Sequence, residues 1–335
     1  MAVTLRDIAH KAHVSASTVS RALRDHPHVS EATRKLVAQV AEEMGYTMDS
    51  LRRPSKEARC VLLLIHDASW QAKQDIRSVD VEGLIAFGAQ SILEERGVST
   101  RIQAARLDKG EVRQYVDDPG LAGLVIASGV VEQDFIRALQ AAGLPFVVAG
   151  SHVRPLRVNC VMADYMRGTQ QAVDHLVSTG CRRIGLVNAP PTSTSSAEKH
   201  HGFVLALSLH GICPSPSQIV ACDDFQSESG YVKTHQFLAQ QHDLDAIVYA
   251  SDSLLLGGLR AIKESGRRVP ADVAVTGFYD FEVSRFADPP LTTVRVDLQT
   301  MGAIAAHRLC MMLEQPDDQA WCAVVPTSLV VREST

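Results

Sequence analysis

The residues of this chain whose types and spacing could do chemistry fall into two groups. The first lies near the start: Ser15, Ala16, Ser17, Thr18, Ser20 and Arg21. Ala16, Ser17, Ser20 and Arg21 face out, and so small and polar a face with a single guanidinium can come close to the base edges of DNA. Ala contacts a thymine methyl, Ser bonds either base type, and Arg forks onto guanine. Arg52, Arg53, Lys56 and Arg59 follow in the polar stretch 47–59, where they would neutralise phosphates. The second group is dispersed. In doubly wound sheets ligands sit outside the carboxyl ends of the strands. That rule picks out six loops: His66 to Trp70, Ser128-Gly129, Gly150-Ser151-His152, Asn188 to His201, Ser251-Asp252 and Tyr279-Asp280. The stretch from Asn188 is rich in Ser, Thr and Pro and reads either as a ligand loop or as a plain surface loop. Trp70 reads either as a stacking face or as ordinary packing.

Enzymatic chemistry has no comparable set. The chain holds 13 histidines, yet shows no HExxH, no GxSxG, no phosphate-binding P-loop and no strand followed by GxGxxG. His200-His201 lacks spaced Cys or carboxylate partners that would make it a metal site. No catalytic residue, metal or cofactor is expected.

Around the first group the elements are short helices. Thr4 with Asp7 starts one, and Leu5, Ile8, Ala9 and Ala12 recur at helical spacing. Ser15 caps a second, in which Val19, Ala22 and Leu23 face inward. Ser30 caps a third running to Met44, with Leu36, Val37, Val40 and Ala41 on its apolar face and Gly45 as its stop. The spacing suits a helix-turn-helix, whose second helix enters the major groove by its first residues. A helical hairpin with no partner is the bland alternative.

From Cys60 the pattern becomes strand–helix alternation. Val61 to Ile65 is a continuous apolar run, as in a strand buried on both faces of a parallel sheet. The pattern restarts after residue 160, so two α/β units follow in series. The expected fold class is an N-terminal all-α helix-turn-helix head followed by an α/β two-lobed body with doubly wound parallel sheets. The expected divisions are a head at 1–46, a hinge at 47–59 and a body at 60–335. Within the body, lobe 1 is expected at about 60–159 plus 291–322, and lobe 2 at about 160–290 plus 323–335.

Charge agrees with DNA contact through one end. The net charge is −5, but residues 1–59 carry 10 Lys+Arg against 7 Asp+Glu while the rest carries 23 against 31. Seven scattered cysteines without CxxC spacing fit a reducing compartment. With no signal-like stretch and no run of about 18 apolar residues, a soluble cytoplasmic protein with no membrane partner is expected.

Thr4-Leu5-x-Asp7-Ile8-Ala9, Val14-Ser15-x-x-Thr18-Val19-Ser20-Arg21-Ala22-Leu23 and Val29-Ser30-x-x-Thr33-Arg34, ending in Gly45-Tyr46, resemble the head of the lactose-repressor (LacI/GalR) family of bacterial transcription regulators. The body carries similar marks: Gly180-x-Arg182-Arg183-Ile184, Ala250-Ser251-Asp252, Arg268-Val269-Pro270-x-Asp272-Val273-Ala274 and Pro289-Pro290-Leu291-Thr292-Thr293-Val294. The resemblance implies a periplasmic-binding-protein-like body that dimerises, a small effector between its lobes, and a double-stranded operator read by the head. Thr4 and His28 complete the expected DNA-contacting set. For the effector it implies Lys199, where the family has Arg; Phe225, at an aromatic that stacks on the ligand; Asp252; and Tyr279 with Asp280, where the family has Asp after Gly-Phe. Trp70 and Ser128 join them from the loop rule. The expected partner is a carbohydrate-like or other polar metabolite, and the expected function is a repressor controlled by it. The alternative is a cytosolic small-molecule-binding protein or a hydrolase with the same body.

Two departures in the head matter. His13 stands where the family has Gly at the turn, so a left-handed backbone is expected at a residue that tolerates it. In the hinge, Pro54-Ser55 occupies the position of the family's minor-groove Leu. A short or absent hinge helix and a nearly straight operator are expected, with wedging by Leu51 from a shifted helix as the alternative.

Overall fold

A computed structural model gives the fold and describes residues 5–15, 18–19, 22, 29–44, 60–66, 81–315 and 319–335. The chain divides into two units, Met1–Glu57 and Ala58–Thr335.

In the first unit, helix α1 spans Leu5–Lys11 and α2 spans Glu31–Glu43, with Thr18, Val19 and Ala22 helical between them. Ile8, Ala12, Val19, Ala22, Val29, Val37, Val40 and Ala41 form one small core. Leu36, expected on the inner face, is 46% exposed; it lies beside the stripe of Val37, Val40 and Ala41 that fills the core. Ser15 and Ser30 do as their spacing predicts. Ser15 Oγ accepts from the Thr18 N–H at 3.0 Å, and Ser30 Oγ from the Thr33 N–H at 3.2 Å, each meeting a helix-start donor that would otherwise lack a partner. His13 adopts φ 54°, the left-handed turn expected of it. Thr4, Ala16, Ser17, Ser20, Arg21, His28, the hinge 47–59 with Leu51, Arg52 and Arg53, and Trp70 lie outside the described residues.

The second unit contains two six-stranded sheets. Strands β1 (Cys60–His66), β2 (Ser99–Ala105), β3 (Leu121–Ala127), β4 (Phe146–Ala149), β5 (Cys160–Ala163) and β11 (Cys322–Val325) form the first, in the order β11-β5-β4-β3-β1-β2. Strands β6 (Ile184–Asn188), β7 (Ile219–Ala221), β8 (Ala246–Tyr249), β9 (Ala274–Tyr279), β10 (Thr292–Val296) and β12 (Thr327–Val330) form the second, in the order β12-β10-β9-β8-β6-β7. Pairing is parallel throughout, except between β10 and β12. β1 shows why the apolar run is continuous. Val61 and Leu63 enter one core and Leu62 and Leu64 the other, on opposite faces of the sheet.

Helices α3 (Val81–Glu95), α4 (Val112–Val116), α5 (Gln133–Ala142) and α11 (Leu298–Glu314) accompany the first sheet; α6 (Tyr165–Ser178), α7 (Thr194–Leu209), α8 (Ser227–Gln240), α9 (Asp252–Glu264) and the short α10 (Val283–Phe286) accompany the second. α3 and α11 approach backbone to backbone: a Cβ on Gly302 would lie 1.9 Å from the Ile85 carbonyl oxygen.

The chain crosses between sheets at Asp164, Asp297 and Pro326, and these points partly hold one another. The Asp164 N–H donates to the Val325 carbonyl at 2.9 Å, and Asp164 and Asp297 cap α6 and α11. This changes the expected lobe bounds. β10 pairs with β9 in the second sheet instead of returning to the first, and β5, expected in lobe 2, pairs with β4 and β11 in the first. The apolar run Val324–Val331, which reads as one strand in the sequence, is divided between two strands in different sheets. Pro326, with no N–H for a ladder, stands at the break. Among the described residues no helix is long and apolar enough to cross a membrane.

Candidate functional site

The carboxyl ends of β8 and β9 and the first turns of α7 bring the expected cleft residues together. The stretch expected as a loop from Asn188 to His201 is mostly helix, because α7 begins at Thr194. Its low-propensity Ser and Thr residues are held by tertiary contacts. The buried face of α7 carries Ser195, Lys199 and Gly202, and a Cβ on Gly202 would lie 2.4 Å from the Met166 carbonyl oxygen.

Lys199 is 1% exposed. Its Nζ donates to the Ala250 carbonyl at 2.8 Å and to Tyr279 Oη at 3.1 Å. It also lies over the rings of Phe278 at 4.1 Å, Tyr279 at 4.4 Å and Tyr165 at 5.1 Å from their centroids. Burial drives this amine well below the usual lysine range, and the nearby Asp252 carboxylate opposes that.

Asp252, the first residue of α9, is fully buried. Its Oδ1 accepts from Thr293 Oγ1 at 2.6 Å and its Oδ2 from the Phe281 N–H at 2.8 Å. Burial pushes its carboxyl up to about 6, against the pull of those two donors. The backbone beside it is strained: Tyr279 and Asp280 have φ 101° and 55°, consecutive left-handed residues without glycine. Such positions cost about 1–3 kcal/mol each and cluster at ligand clamps and switches.

Two expected residues have their polar atoms taken by the fold. Asp280 meets Arg332 through Oδ1 and Arg295 through Oδ2 at 2.8 Å, with Arg285 at 4.0 Å. Ser128 donates to the Val130 carbonyl and accepts the Val130 N–H at 3.0 Å, closing a turn. Phe225 is half-buried and packs on the core around Val187 and Leu254. The start of α7 also reaches the first sheet's loops. Thr194 donates its N–H to the Gly129 carbonyl at 3.1 Å and shares a 2.7 Å hydroxyl contact with Ser151, while His152 lies 3.5 Å from Glu198.

The sequence reading missed Tyr165, Phe278, Phe281 and Thr293. Tyr165 could have been found by the strand-end rule, since it follows β5 by two residues. Thr293 could not, because its link to Asp252 spans 41 positions.

A helix-turn-helix head on a two-sheet body, with a polar cluster at the strand ends where the sheets meet, defines a ligand-responsive DNA-binding regulator. Comparison with known proteins agrees. Residues 4–49 match the bacterial regulatory proteins of the lacI family, and residues 173–335 the periplasmic binding protein-like domain. The HTH-type transcriptional regulator CelR of Thermobifida fusca is 30% identical, over 99% of this chain and 98% of its own length. The HTH-type transcriptional repressor CytR of Escherichia coli (strain K12) is 29% identical, over 100% and 96%. Among solved structures, a CelR–cellobiose complex matches with TM-score 0.77 and 29% identity over 99% of this chain and 100% of that one. A lac repressor dimer bound to operator and the anti-inducer ONPF matches with TM-score 0.73 and 27% identity over 100% and 99%. The chain belongs to the lacI family of bacterial regulatory proteins, and is a DNA-binding transcriptional regulator.

Proposed function

We propose that this protein is a cytoplasmic repressor without enzymatic activity, acting as a homodimer on a two-fold operator, and that a polar, carbohydrate-like metabolite in the cleft sets its DNA affinity. The observation that carries the effector site is the buried Lys199–Tyr279–Asp252 cluster at the strand ends, where the backbone of Tyr279 and Asp280 is strained. The cellobiose in the CelR complex supports a carbohydrate-like ligand. Full-length relatives that are regulators favour this reading over a stand-alone binding protein or hydrolase.

Lys199 supplies a point charge where a guanidinium would grip two oxygens at once. With Ser128 and Asp280 held by the fold, Phe225 and Trp70 supply apolar faces, while Lys199, Asp252 and Tyr279 supply orientation. The ligand must compete for Lys199 with Ala250 and Tyr279, so binding rearranges the start of α7. That helix start also touches Gly129 and Ser151 of the other sheet, so rearrangement changes the angle between the sheets. The angle sets the spacing of two heads on DNA. On the operator, Ala16, Ser17 and Arg21 read bases, with Thr4, Ser15, Thr18, Ser20, His28, Arg52 and Arg53 holding the backbone.

The test is selection of an operator from random duplexes by the full chain, followed by neutral sugars, sugar acids and amino sugars in a binding assay. An enriched two-fold sequence whose affinity shifts tenfold or more with one compound is expected. Absence of an enriched sequence would overturn the DNA reading; an operator insensitive to every compound would overturn the effector class.

A further inference from the structure

Two of the seven cysteines face one another. Cys160 begins β5 and Cys322 begins β11, and the two are register partners in adjacent parallel strands. Neighbouring strands lie about 4.7–4.9 Å apart, and opposed residues of a parallel pair project to the same side. A disulfide requires Cα atoms about 4.4–6.8 Å apart with Cβ atoms converging. Register partners on a ladder therefore meet the Cα requirement, and a small inward turn of the edge strand β11 brings the two Cβ atoms together. Among the described ladders no other cysteine has a cysteine as its register partner. All seven are free thiols in this structure.

The two differ in access. Cys160 is 3% exposed, in the core with Val148 and Ile126, whereas Cys322 is exposed on the edge strand. They also differ in reactivity. The neighbouring Cys160 thiol holds the Cys322 thiol below its usual range, opposed by partial burial and helped by the Arg154 guanidinium. The neighbouring Cys322 and burial push Cys160 up. An exposed, acidified thiol beside a buried one is the arrangement of an attacking cysteine and its resolving partner.

We propose that Cys160 and Cys322 are a peroxide-responsive thiol pair that closes reversibly to an intrachain disulfide. The Cys322 thiolate attacks one oxygen of hydrogen peroxide, breaking the O–O bond and giving a sulfenic acid and hydroxide, which takes a proton to become water. The Cys160 sulfur then attacks the Cys322 sulfur. The S–O bond breaks, the S–S bond forms, and the hydroxyl leaves with the Cys160 proton as a second water. Two thiols are oxidised by two electrons and one peroxide is reduced to two waters. A reducing thiol restores both residues by exchange. The bond ties β11 to β5 just upstream of the crossings at Asp164 and Pro326, so it restrains the element that lets the sheets rotate.

The full chain, reduced and desalted, is treated with hydrogen peroxide, digested without reductant and mapped by mass spectrometry. The expected product is a Cys160–Cys322 linked peptide in protein that migrates as a single chain on a non-reducing denaturing gel, reversed by dithiothreitol and replaced by scattered linkages when oxidation is done in urea. In Cys160→Ser, Cys322 is expected to stop at a sulfenic acid that dimedone captures. Wild-type protein whose dominant product is an interchain disulfide, a linkage through Cys213, or a sulfinic acid at Cys322 with Cys160 still a thiol would overturn the proposal.

Discussion

Ser15 and Ser30 in the head each close a helix start with the same pair of bonds, to the N–H and to the hydroxyl of a Thr three residues on. In the body, Lys199 and Asp252 are buried and held by side chains and backbone from 29 to 80 positions away. The head's two serine caps serve local geometry. The cleft's polar groups are held by long-range contacts that a ligand must displace. The caps are set by the helices they start, whereas the cleft is placed to change when a ligand binds.

The largest expected effect is on the arginine cluster beside the cleft. Asp280→Ala leaves Arg332, 14% exposed at its side chain, facing a buried void. Unfolding free energy should fall by about 3 kcal/mol, read by urea denaturation of the full chain. A loss below about 1 kcal/mol would show that Asp280 is available to a ligand after all.

Asp252→Asn sharpens the same contrast through pH. The folded carboxyl titrates at about 6, above its ordinary 3.8. Its contribution to stability is therefore present below about pH 4 and lost as pH rises through 6. The shift corresponds to about 3 kcal/mol at 1.36 per unit. Urea midpoints at pH 4.5 and 7.5 should show the variant gaining on wild type as pH rises. A gap independent of pH would mean the carboxyl is solvated.

The head should respond on a smaller scale. Ser15→Ala and Ser30→Ala should each cost about 1 kcal/mol, and by similar amounts, as judged by hydrogen exchange at the slowest amides of the head. A much larger loss for one would break the equivalence of the two caps. His13→Gly should stabilise the head by about 0.5–1 kcal/mol, because only the side chain makes φ 54° costly. Destabilisation would show that the imidazole holds the turn.

These regions also differ in how far the sequence discloses them. Caps and turns are local, so Ser15, Ser30 and the left-handed His13 are readable from spacing alone. β1 is readable because burial on both faces leaves an unbroken apolar run. The start of α7 is not, since its Ser- and Thr-rich opening has loop composition and becomes helix through contacts with residues far along the chain. The route of β10 and the split at Pro326 are fixed by pairing partners that no local pattern names. Lys199, Asp252 and Tyr279 stand in loops that the strand-end rule picks out, and the family pattern singles them out within those loops. Their mutual contacts, and the commitment of Asp280 to Arg332 52 positions on, are tertiary facts.

The central claim is that the cleft governs a head it does not help to build. Lys199→Met removes the ammonium while keeping the stem volume, and fluorescence anisotropy on the selected operator reads the result with and without the active compound. The account predicts ligand-free operator affinity within about twofold of wild type and no shift on adding ligand. A variant that keeps the full ligand shift, or that loses operator binding without ligand while remaining folded, would contradict it.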